Sequence, residues 1–268
     1  MDITKDTQVC ISLSGRPTNI GTRFHNYLYD ELGLNFIYKA MTTDDIEAAV
    51  GGIRALGIRG AGISMPYKEA CLDLVDVVKP SARAIESVNT IVNADGRLAA
   101  YNTDYNAVAD LLKSKQIDPG MTFAIVGSGG MAKAVVAALR DHGLERGTVI
   151  ARNERNGHAL ARAYGYLWRP EMLGDADLLI NATPIGMAGG NEGQLPFTDA
   201  QIAGASAVLD VVANPVVTPF LAAAADRGIA AITGAEIIAL QAAAQFELYT
   251  GVRPTPEQIA RASEYSRS

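Results

Sequence analysis

The stretch that decides the fold is Thr122-Phe123-Ala124-Ile125-Val126-Gly127-Ser128-Gly129-Gly130-Met131-Ala132, near the middle of the chain. A short apolar run typical of a buried strand leads directly into a glycine loop, and a helix pattern rich in alanine and valine follows. The loop fits G-x-G-x-x-A, whose glycines permit a tight turn and let the backbone approach a pyrophosphate. Free N–H groups at the helix N-terminus attract the same negative charge. A plain tight turn with packing glycines is the alternative. The motif predicts a dinucleotide site at Gly127, Ser128, Gly129, Gly130, Met131 and Ala132.

Segments typical of strands and helices alternate on both sides of this loop. Before it, we predict strands over 8–13, 35–40 and 60–64, helices over 23–32, 44–56 and 68–77, and a hairpin around Asp95-Gly96. After it, we predict strands over 148–151, 177–182 and 207–212 and helices over 218–227 and 235–249. Alternation of this kind predicts an α/β protein with parallel sheets, in two domains that meet near residue 105.

The composition indicates a chain with a sizeable hydrophobic core. Of its 268 residues, 49% are hydrophobic and 19% are charged, which excludes wholesale disorder. The net charge of −6 argues against a general nucleic-acid binder, because the phosphate backbone attracts basic proteins. Residues 1–6 lack the layout of a signal peptide, and no apolar run reaches about 18 residues. We therefore expect a soluble, cytoplasmic protein.

The cysteines and histidines do not favour metal or disulfide chemistry. Cys10 and Cys71 lie in apolar runs, so we expect both in the core rather than in a disulfide or a zinc site. His25, His142 and His158 show no spacing typical of metal ligands. The sequence therefore predicts no metal cofactor.

The strand expected after the glycine loop ends without the acidic residue of an NAD site. Such a site places Asp or Glu there to bind the ribose 2′-hydroxyl, whereas this strand is followed by Arg152 and Asn153, with Arg155 close behind. The planar guanidinium matches the oxygens of a 2′-phosphate. We therefore predict NADP rather than NAD, held at Arg152 and Asn153; a solvated surface arginine is the alternative.

Two more polar residues follow predicted strand ends, where the small-molecule sites of open α/β sheets gather. Lys68 comes shortly after the strand over 60–64, and Asp104 follows the hairpin. A lysine near a reacting oxygen can share or accept a proton, or stabilise developing negative charge. From these residues alone, a surface charge at Lys68 and a helix N-cap at Asp104 stay open as alternatives.

Ordered motifs of this kind run along nearly the whole chain. They are His25-Asn26, Ser64-Met65-Pro66-Tyr67-Lys68-Glu69, Ser87-Val88-Asn89-Thr90, Asn102-Thr103-Asp104, Gly127-Ser128-Gly129-Gly130, Asn181-Ala182-Thr183-Pro184-Ile185-Gly186-Met187, and Gln241-Ala242-Ala243 with Phe246. Taken together, they resemble the shikimate dehydrogenase family, and more narrowly its shikimate dehydrogenase-like branch.

The resemblance implies a substrate-binding catalytic domain over 1–105, completed by 236–268, and a Rossmann-like NADP domain over 106–235, with the active site in the cleft between them. It implies that Lys68 and Asp104 are the catalytic pair and that Ser64, Asn89 and Gln241 hold substrate hydroxyls. The residues matched to the nicotinamide site are Thr183, Ile185, Gly186, Met187, Val212 and Gly234. The implied reaction interconverts shikimate and 3-dehydroshikimate, or close relatives, with NADP.

The pocket for the substrate carboxylate departs from the family pattern. The family usually has Ser-x-Ser just before the first helix, and the matching positions here are Asn19 and Gly21. The remaining donors are the Asn19 amide, the Thr22 hydroxyl and the Arg23 guanidinium, and a surface role for Arg23 is the alternative. Further departures are Gly62, Tyr105 and Ala213, where the family usually has asparagine, glycine and tyrosine.

Two other functions stay open on this sequence. One is a quinate or shikimate dehydrogenase that uses NAD, against which Arg152 argues mildly. The other is a non-catalytic sensor of NADP or a metabolite that acts on a partner protein, for which an altered carboxylate pocket is suited. A homodimer is compatible with the sequence, and no nucleic-acid or membrane partner is expected.

Overall fold

A computed structural model describes residues 3–268. Met1 and Asp2, which begin the segment used to argue against a signal peptide, lie outside the described residues. The chain forms two compact units, one made of the residues up to Thr103 together with Ala239–Ser268, and the other of Asp104–Ile238. Among the described residues, the helices are too short or too polar for any of them to cross a bilayer.

The first unit is built on a six-stranded mixed sheet. Its strands are β1 (Gln8–Leu13), β2 (Phe36–Met41), β3 (Gly60–Ile63), β4 (Val77–Val78), β5 (Thr90–Ala94) and β6 (Arg97–Tyr101). They lie in the order β2-β1-β3-β5-β6-β4, in which β5 runs antiparallel to β3 and β6 and the other neighbouring pairs are parallel. The hairpin predicted around Asp95-Gly96 is the β5–β6 pair.

Helices cover both faces of this sheet. The helices of the unit are α1 (Asn19–Glu31), α2 (Ile46–Ala55), a 3-10 helix (Ala70–Leu74), α3 (Pro80–Ile85) and α10 (Pro256–Arg267), together with the part of α9 (Gly234–Thr250) that begins at Ala239. One face packs on α2, the 3-10 helix and α3 through Ile11, Leu13 and Ile91. The other packs on α1, α9 and α10 through Cys10 and Val92. Neighbouring strand residues point to opposite faces, so the apolar neighbours Cys10 and Ile11 of β1 place one hydrophobic side chain on each face of the sheet.

The second unit has a six-stranded sheet in which every neighbouring pair is parallel. Its strands are β7 (Thr122–Val126), β8 (Arg146–Ile150), β9 (Leu167–Arg169), β10 (Leu178–Asn181), β11 (Ala207–Asp210) and β12 (Ala230–Ile232). Its helices are α4 (Thr103–Ser114), α5 (Gly130–His142), α6 (Glu154–Tyr164), α7 (Asp199–Gly204) and α8 (Pro219–Ala225). The order β12-β11-β10-β7-β8-β9 is that of a Rossmann sheet. The predicted α/β fold class is confirmed.

One predicted element is wrong, and the first helix begins a full turn earlier than predicted. The helix expected over 68–77 is a short 3-10 helix followed by β4, because Val77 pairs with Ala99 of β6 and extends the sheet. This pairing depends on a distant strand, so local periodicity could not show it. The first helix begins at Asn19 rather than at Arg23.

The core of the first unit buries an imidazole without hydrogen-bond partners. His25 is fully buried, its ring stacks on Tyr38 with centroids 4.3 Å apart, and neither ring nitrogen has a partner. Burial lowers the pKa of His25 from 6.5 to about 3, with the nearby Gln245 carboxamide acting in the opposite direction. The ring is therefore neutral in the folded protein at physiological pH.

This burial predicts a stability loss in mild acid. Between pH 6.5 and about 3 the unfolded chain protonates His25 and the folded chain does not, so the free energy of unfolding falls as pH falls. Between pH 7 and pH 5 we expect His25 to contribute about 2 kcal/mol of this loss. Chemical denaturation at both pH values should show a correspondingly smaller loss for His25→Phe. His158→Gln is the control, since His158 is exposed, and it should lose as much as the wild type. An equal loss of unfolding free energy in the wild type, His25→Phe and His158→Gln would contradict the prediction.

Candidate functional site

In the first unit, the ends of three strands bring candidate substrate residues to one edge of the sheet. The Ile63 N–H donates to the Asn89 carbonyl at 2.7 Å, and the Asn89 N–H donates to the Tyr101 carbonyl at 3.1 Å. Because β5 is antiparallel to β3 and β6, its start lies beside their ends. Ser64, Asn89 and Asn102 therefore lie side by side at this edge.

The backbone of Lys68 lies at the same edge. The Val88 N–H donates to the Lys68 carbonyl at 2.8 Å, which places Lys68 beside the residue that precedes Asn89. The Lys68 side chain is half-buried. Thr103 is fully buried, and Asp104, which follows it as the first residue of the second unit, is 8% exposed.

The side-chain amide of Asn89 is fixed by its neighbours. Its Oδ1 accepts the Thr103 backbone N–H at 2.8 Å and the Thr90 hydroxyl at 2.7 Å. Its Nδ2 donates to Thr103 Oγ1 at 2.9 Å. Thr103 Oγ1 lies 3.4 Å from Gln241 Oε1. Asn89 and Gln241, both predicted to hold substrate hydroxyls, thus belong to one hydrogen-bond network.

Three members of this network, namely Thr103, Thr90 and Gln245, were not assigned from the sequence. Gln245 Nε2 donates to the Asn89 carbonyl at 3.1 Å and to Thr90 Oγ1 at 3.0 Å. The available signal for Gln245 was its spacing, because it lies one helical turn after Gln241 on α9 and residues four apart share a helix face. Thr90 gave no separate signal, since its neighbour Asn89 carried the motif.

The residues predicted to hold a substrate carboxylate lie in the first turn of α1. Asn19 is the exposed first residue of the helix. Thr22 Oγ1 accepts the Ala40 backbone N–H at 3.2 Å, and Arg23 donates to the Ser268 carbonyl at 2.7 Å. Gly21 contributes no side-chain donor. Thr22 and Arg23 therefore have partners within the protein, and Thr22 keeps its hydroxyl proton to donate.

In the second unit, the glycine loop lies where the strand order reverses. The strands β7 and β10 are neighbours in the sheet but not consecutive in the chain, and open α/β sheets bind ligands at such points. Gly127 has φ of +123°, and a Cβ there would lie 2.7 Å from the Ala182 carbonyl oxygen. Glycine at this position is required by the fold itself.

The next glycines leave an open cradle at the N-terminus of α5. A Cβ at Gly129 or Gly130 would meet no protein atom within 4 Å, and Gly129 has an ordinary φ of −85°. Ser128 lies in the loop, Met131 lies in the first turn, and Ala132 is fully buried, which lets the helix pack closely. A pyrophosphate fits such a cradle, so these residues suit the predicted dinucleotide.

The predicted 2′-phosphate residues follow the end of β8. Arg152 has an exposed side chain. Asn153 is the N-cap of α6, and its Oδ1 accepts the Asn156 N–H at 3.0 Å. The Asn153 side chain therefore has a structural role, which leaves the Arg152 guanidinium as the better candidate for a phosphate.

A buried polar network holds the loop matched to the nicotinamide site. Asn181 Oδ1 accepts the Thr183 hydroxyl at 2.6 Å, and Asn181 Nδ2 donates to Asp210 at 2.9 Å. Asp210 also accepts the Val212 N–H at 3.0 Å and the Thr218 hydroxyl at 2.6 Å. Burial raises the pKa of Asp210 above its ordinary value, and these three donors oppose that shift.

The rest of that loop is partly exposed. The Ile185 carbonyl accepts Asn181 Nδ2 at 3.0 Å, Gly186 has φ of +83°, and Met187 is 41% exposed. Met187 is thus available to a ligand, whereas the Ile185 carbonyl has a partner within the protein. Among the described residues, no group of three or more His, Cys, Asp or Glu side chains is placed to hold a metal ion.

The glycine at 234 and the tyrosine at 105 are both explained by contacts within the protein. A Cβ at Gly234 would lie 2.3 Å from the Val212 carbonyl oxygen, so close backbone packing requires this glycine. Val212 itself is buried. Tyr105, where the family usually has glycine, donates its hydroxyl to Asp141 of α5 at 2.6 Å.

Comparison with known proteins identifies the family. A family model of the shikimate dehydrogenase substrate binding domain matches residues 19–91. A shikimate dehydrogenase-like protein of Haemophilus influenzae is 55% identical over 268 residues, which cover 99% of each chain. The chain belongs to the shikimate dehydrogenase family. The predicted resemblance is confirmed, and with it membership of a family of oxidoreductases.

Solved structures of this shikimate dehydrogenase family match both units. A shikimate 5-dehydrogenase-like protein matches with a TM-score of 0.97 and 55% identity, covering both chains fully. The Thermus thermophilus shikimate 5-dehydrogenase in complex with NADP(H) and shikimate matches with a TM-score of 0.86 and 30% identity, over 97% of this chain and 99% of that one. The Corynebacterium glutamicum quinate dehydrogenase in complex with NAD matches with a TM-score of 0.88 and 25% identity, over 97% of this chain and 98% of that one.

Proposed function

We propose that this protein is an NADP-dependent dehydrogenase that interconverts shikimate, or a close hydroxylated relative, with its 3-keto form. The observation that carries the proposal is the edge of the first sheet, where Ser64, Asn89 and Lys68 are brought together by backbone hydrogen bonds. Support also comes from the Thermus thermophilus relative, whose complex contains NADP(H) and shikimate. The first unit would bind the substrate, and the second would bind NADP through the cradle at Gly129 and Gly130.

The chemistry follows from these residue types. NADP, when bound, supplies the hydride chemistry. Lys68 and Asp104 are proposed as the catalytic pair: the lysine takes or returns the proton of the reacting hydroxyl and stabilises negative charge on its oxygen, and the carboxylate orients the lysine. Ser64, Asn89 and Gln241 would hold the neighbouring hydroxyls and so orient the substrate.

The test is the reduction of NADP and of NAD by the purified protein with shikimate and with quinate, followed by absorbance, beside Lys68→Ala. Reduction of NADP by shikimate that depends on Lys68 supports the proposal. Turnover of quinate with NAD would instead support the second candidate, which the match to an NAD-bound quinate dehydrogenase favours. NADP binding without turnover of either substrate would favour a sensor, a role compatible with the internal partners of Thr22 and Arg23.

The proposed cofactor preference makes a separate prediction at Arg152. Arg152→Ala should raise KM for NADP about 10- to 100-fold, because a charge-assisted hydrogen bond to the 2′-phosphate would be lost. KM for NAD should change little, since NAD lacks that phosphate. Arg162→Ala, which removes an exposed arginine from α6, is the matched control. Equal effects of Arg152→Ala on both cofactors would contradict a 2′-phosphate contact.

A further inference from the structure

The orientation of two buried amides is determined by backbone groups. A backbone N–H can only donate, so the Asn89 atom that lies 2.8 Å from the Thr103 nitrogen is the oxygen Oδ1. A backbone carbonyl can only accept, so the Gln245 atom that lies 3.1 Å from the Asn89 carbonyl is Nε2. Neither amide can be rotated by 180° without bringing two donors or two acceptors together.

These orientations fix the proton of the hydroxyl between them. Thr90 Oγ1 lies 3.0 Å from Gln245 Nε2 and 2.7 Å from Asn89 Oδ1. Because Gln245 Nε2 donates to Thr90, the Thr90 proton is directed to Asn89 Oδ1. The three side chains are at most 6% exposed, so water competes little for these bonds. Donation therefore runs in one direction, from Gln245 through Thr90 to Asn89.

The result is a defined hydrogen-bonding polarity at Asn89. Oδ1 accepts the Thr103 N–H and the Thr90 hydroxyl, and the Thr103 hydroxyl oxygen lies 3.2 Å from it, so its capacity to accept is used within the protein. Nδ2 uses one N–H on Thr103 Oγ1, which leaves its second N–H for a ligand. A ligand group at this point must accept a hydrogen bond.

We propose that Thr90 and Gln245 are positioning residues that act together with the Thr103 backbone N–H to hold Asn89 as a donor, so that the site selects a substrate with a hydroxyl or carbonyl oxygen there. The inference rests on the proposed function, in which Asn89 binds substrate. It adds two residues to that function and assigns the direction of the contact. A group that can only donate, such as an ammonium, would meet the Asn89 N–H and be rejected.

The kinetic test compares Thr90→Val with Thr90→Ser. Valine keeps the shape but removes the proton directed to Asn89, whereas serine keeps the hydroxyl. We expect Thr90→Val to raise KM for shikimate about tenfold with little change in kcat, and Thr90→Ser to stay near wild type. KM for NADP should be unchanged in both. Gln245→Met should resemble Thr90→Val, because it frees the Thr90 proton to turn away.

A second readout does not depend on turnover. The side-chain NH₂ signals of Asn89, assigned by their loss in Asn89→Asp, should shift and exchange faster with solvent in Thr90→Val but not in Thr90→Ser. Unchanged Asn89 signals in Thr90→Val would overturn the inference. So would a KM that rises equally in both variants, since that result indicates packing. If the wild-type protein turns over neither shikimate nor quinate, the proposed function fails, and the NH₂ signals alone still decide whether Thr90 orients Asn89.

Discussion

Lys68→Ala is expected to lower kcat/KM for shikimate oxidation by about 10³-fold, within the range attributed to acid–base catalysis by one side chain. The Lys68 carbonyl accepts the Val88 N–H through the backbone, so the substitution leaves that bond in place. The Kd for NADP should stay near the wild-type value, because the proposed cofactor residues lie in the second unit. Steady-state kinetics and calorimetric titration with NADP would measure the two effects separately.

Two variants make this experiment specific. Lys68→Met keeps most of the apolar stem and removes the amine, so it should be as inactive as Lys68→Ala. Lys39→Ala removes an exposed lysine from β2 in the same unit and should keep full activity. If Lys68→Met retained more than about a tenth of the wild-type kcat/KM, proton transfer at this residue would be excluded as a major contribution.

Elements whose residues are contiguous in the chain could be predicted from the local sequence pattern. The glycine loop was recognisable because a strand, a turn and a helix follow each other within a few residues, and the order of β7 and β10 places that loop at the reversal point. The hairpin at Asp95-Gly96 was predictable for the same reason, since its turn residues select the pairing.

Elements that depend on distant partners were not predictable in this way. The segment containing Val77 forms a strand because β6 offers a free edge, and this pairing overrides the helical pattern. The three-residue strands β9 and β12 are too short for any periodicity to show.

In the candidate site too, residues in contiguous motifs were predictable from the sequence, whereas contacts between distant segments were not. Lys68, Asn89 and the glycine loop belong to contiguous motifs, so the sequence named them. Gln245 acts on Asn89 across 156 positions of the chain, and only the folded sheet and α9 bring the two together. Arg23 was named as a carboxylate donor, but its partner Ser268 lies 245 positions away and no local pattern indicates it.

The second large effect is expected at Gly127, where glycine is required by the protein itself. Gly127→Ala should lower the free energy of unfolding by about 3–4 kcal/mol, because φ of +123° is strained for alanine and its Cβ would lie 2.7 Å from the Ala182 carbonyl oxygen. Gly127 and Ala182 directly follow the paired strands β7 and β10, and their N–H groups donate to the Ile150 and Val126 carbonyls, so neither backbone can move cheaply. Chemical denaturation without ligand would measure the loss.

Gly129→Ala should leave the stability nearly unchanged and weaken NADP binding. Comparing it with Gly127→Ala therefore separates the effect of a glycine on folding from its effect on binding. Its φ of −85° suits alanine and its Cβ would meet no protein atom, so the free energy of unfolding should change by less than about 1 kcal/mol. A pyrophosphate approaching the same backbone would meet that Cβ, so the affinity for NADP should fall at least about tenfold. Titration with NADP at matched folded fractions would measure it. A Gly129→Ala protein that binds NADP normally would show that the cradle at the N-terminus of α5 does not hold the dinucleotide, because no protein contact explains a glycine at that position.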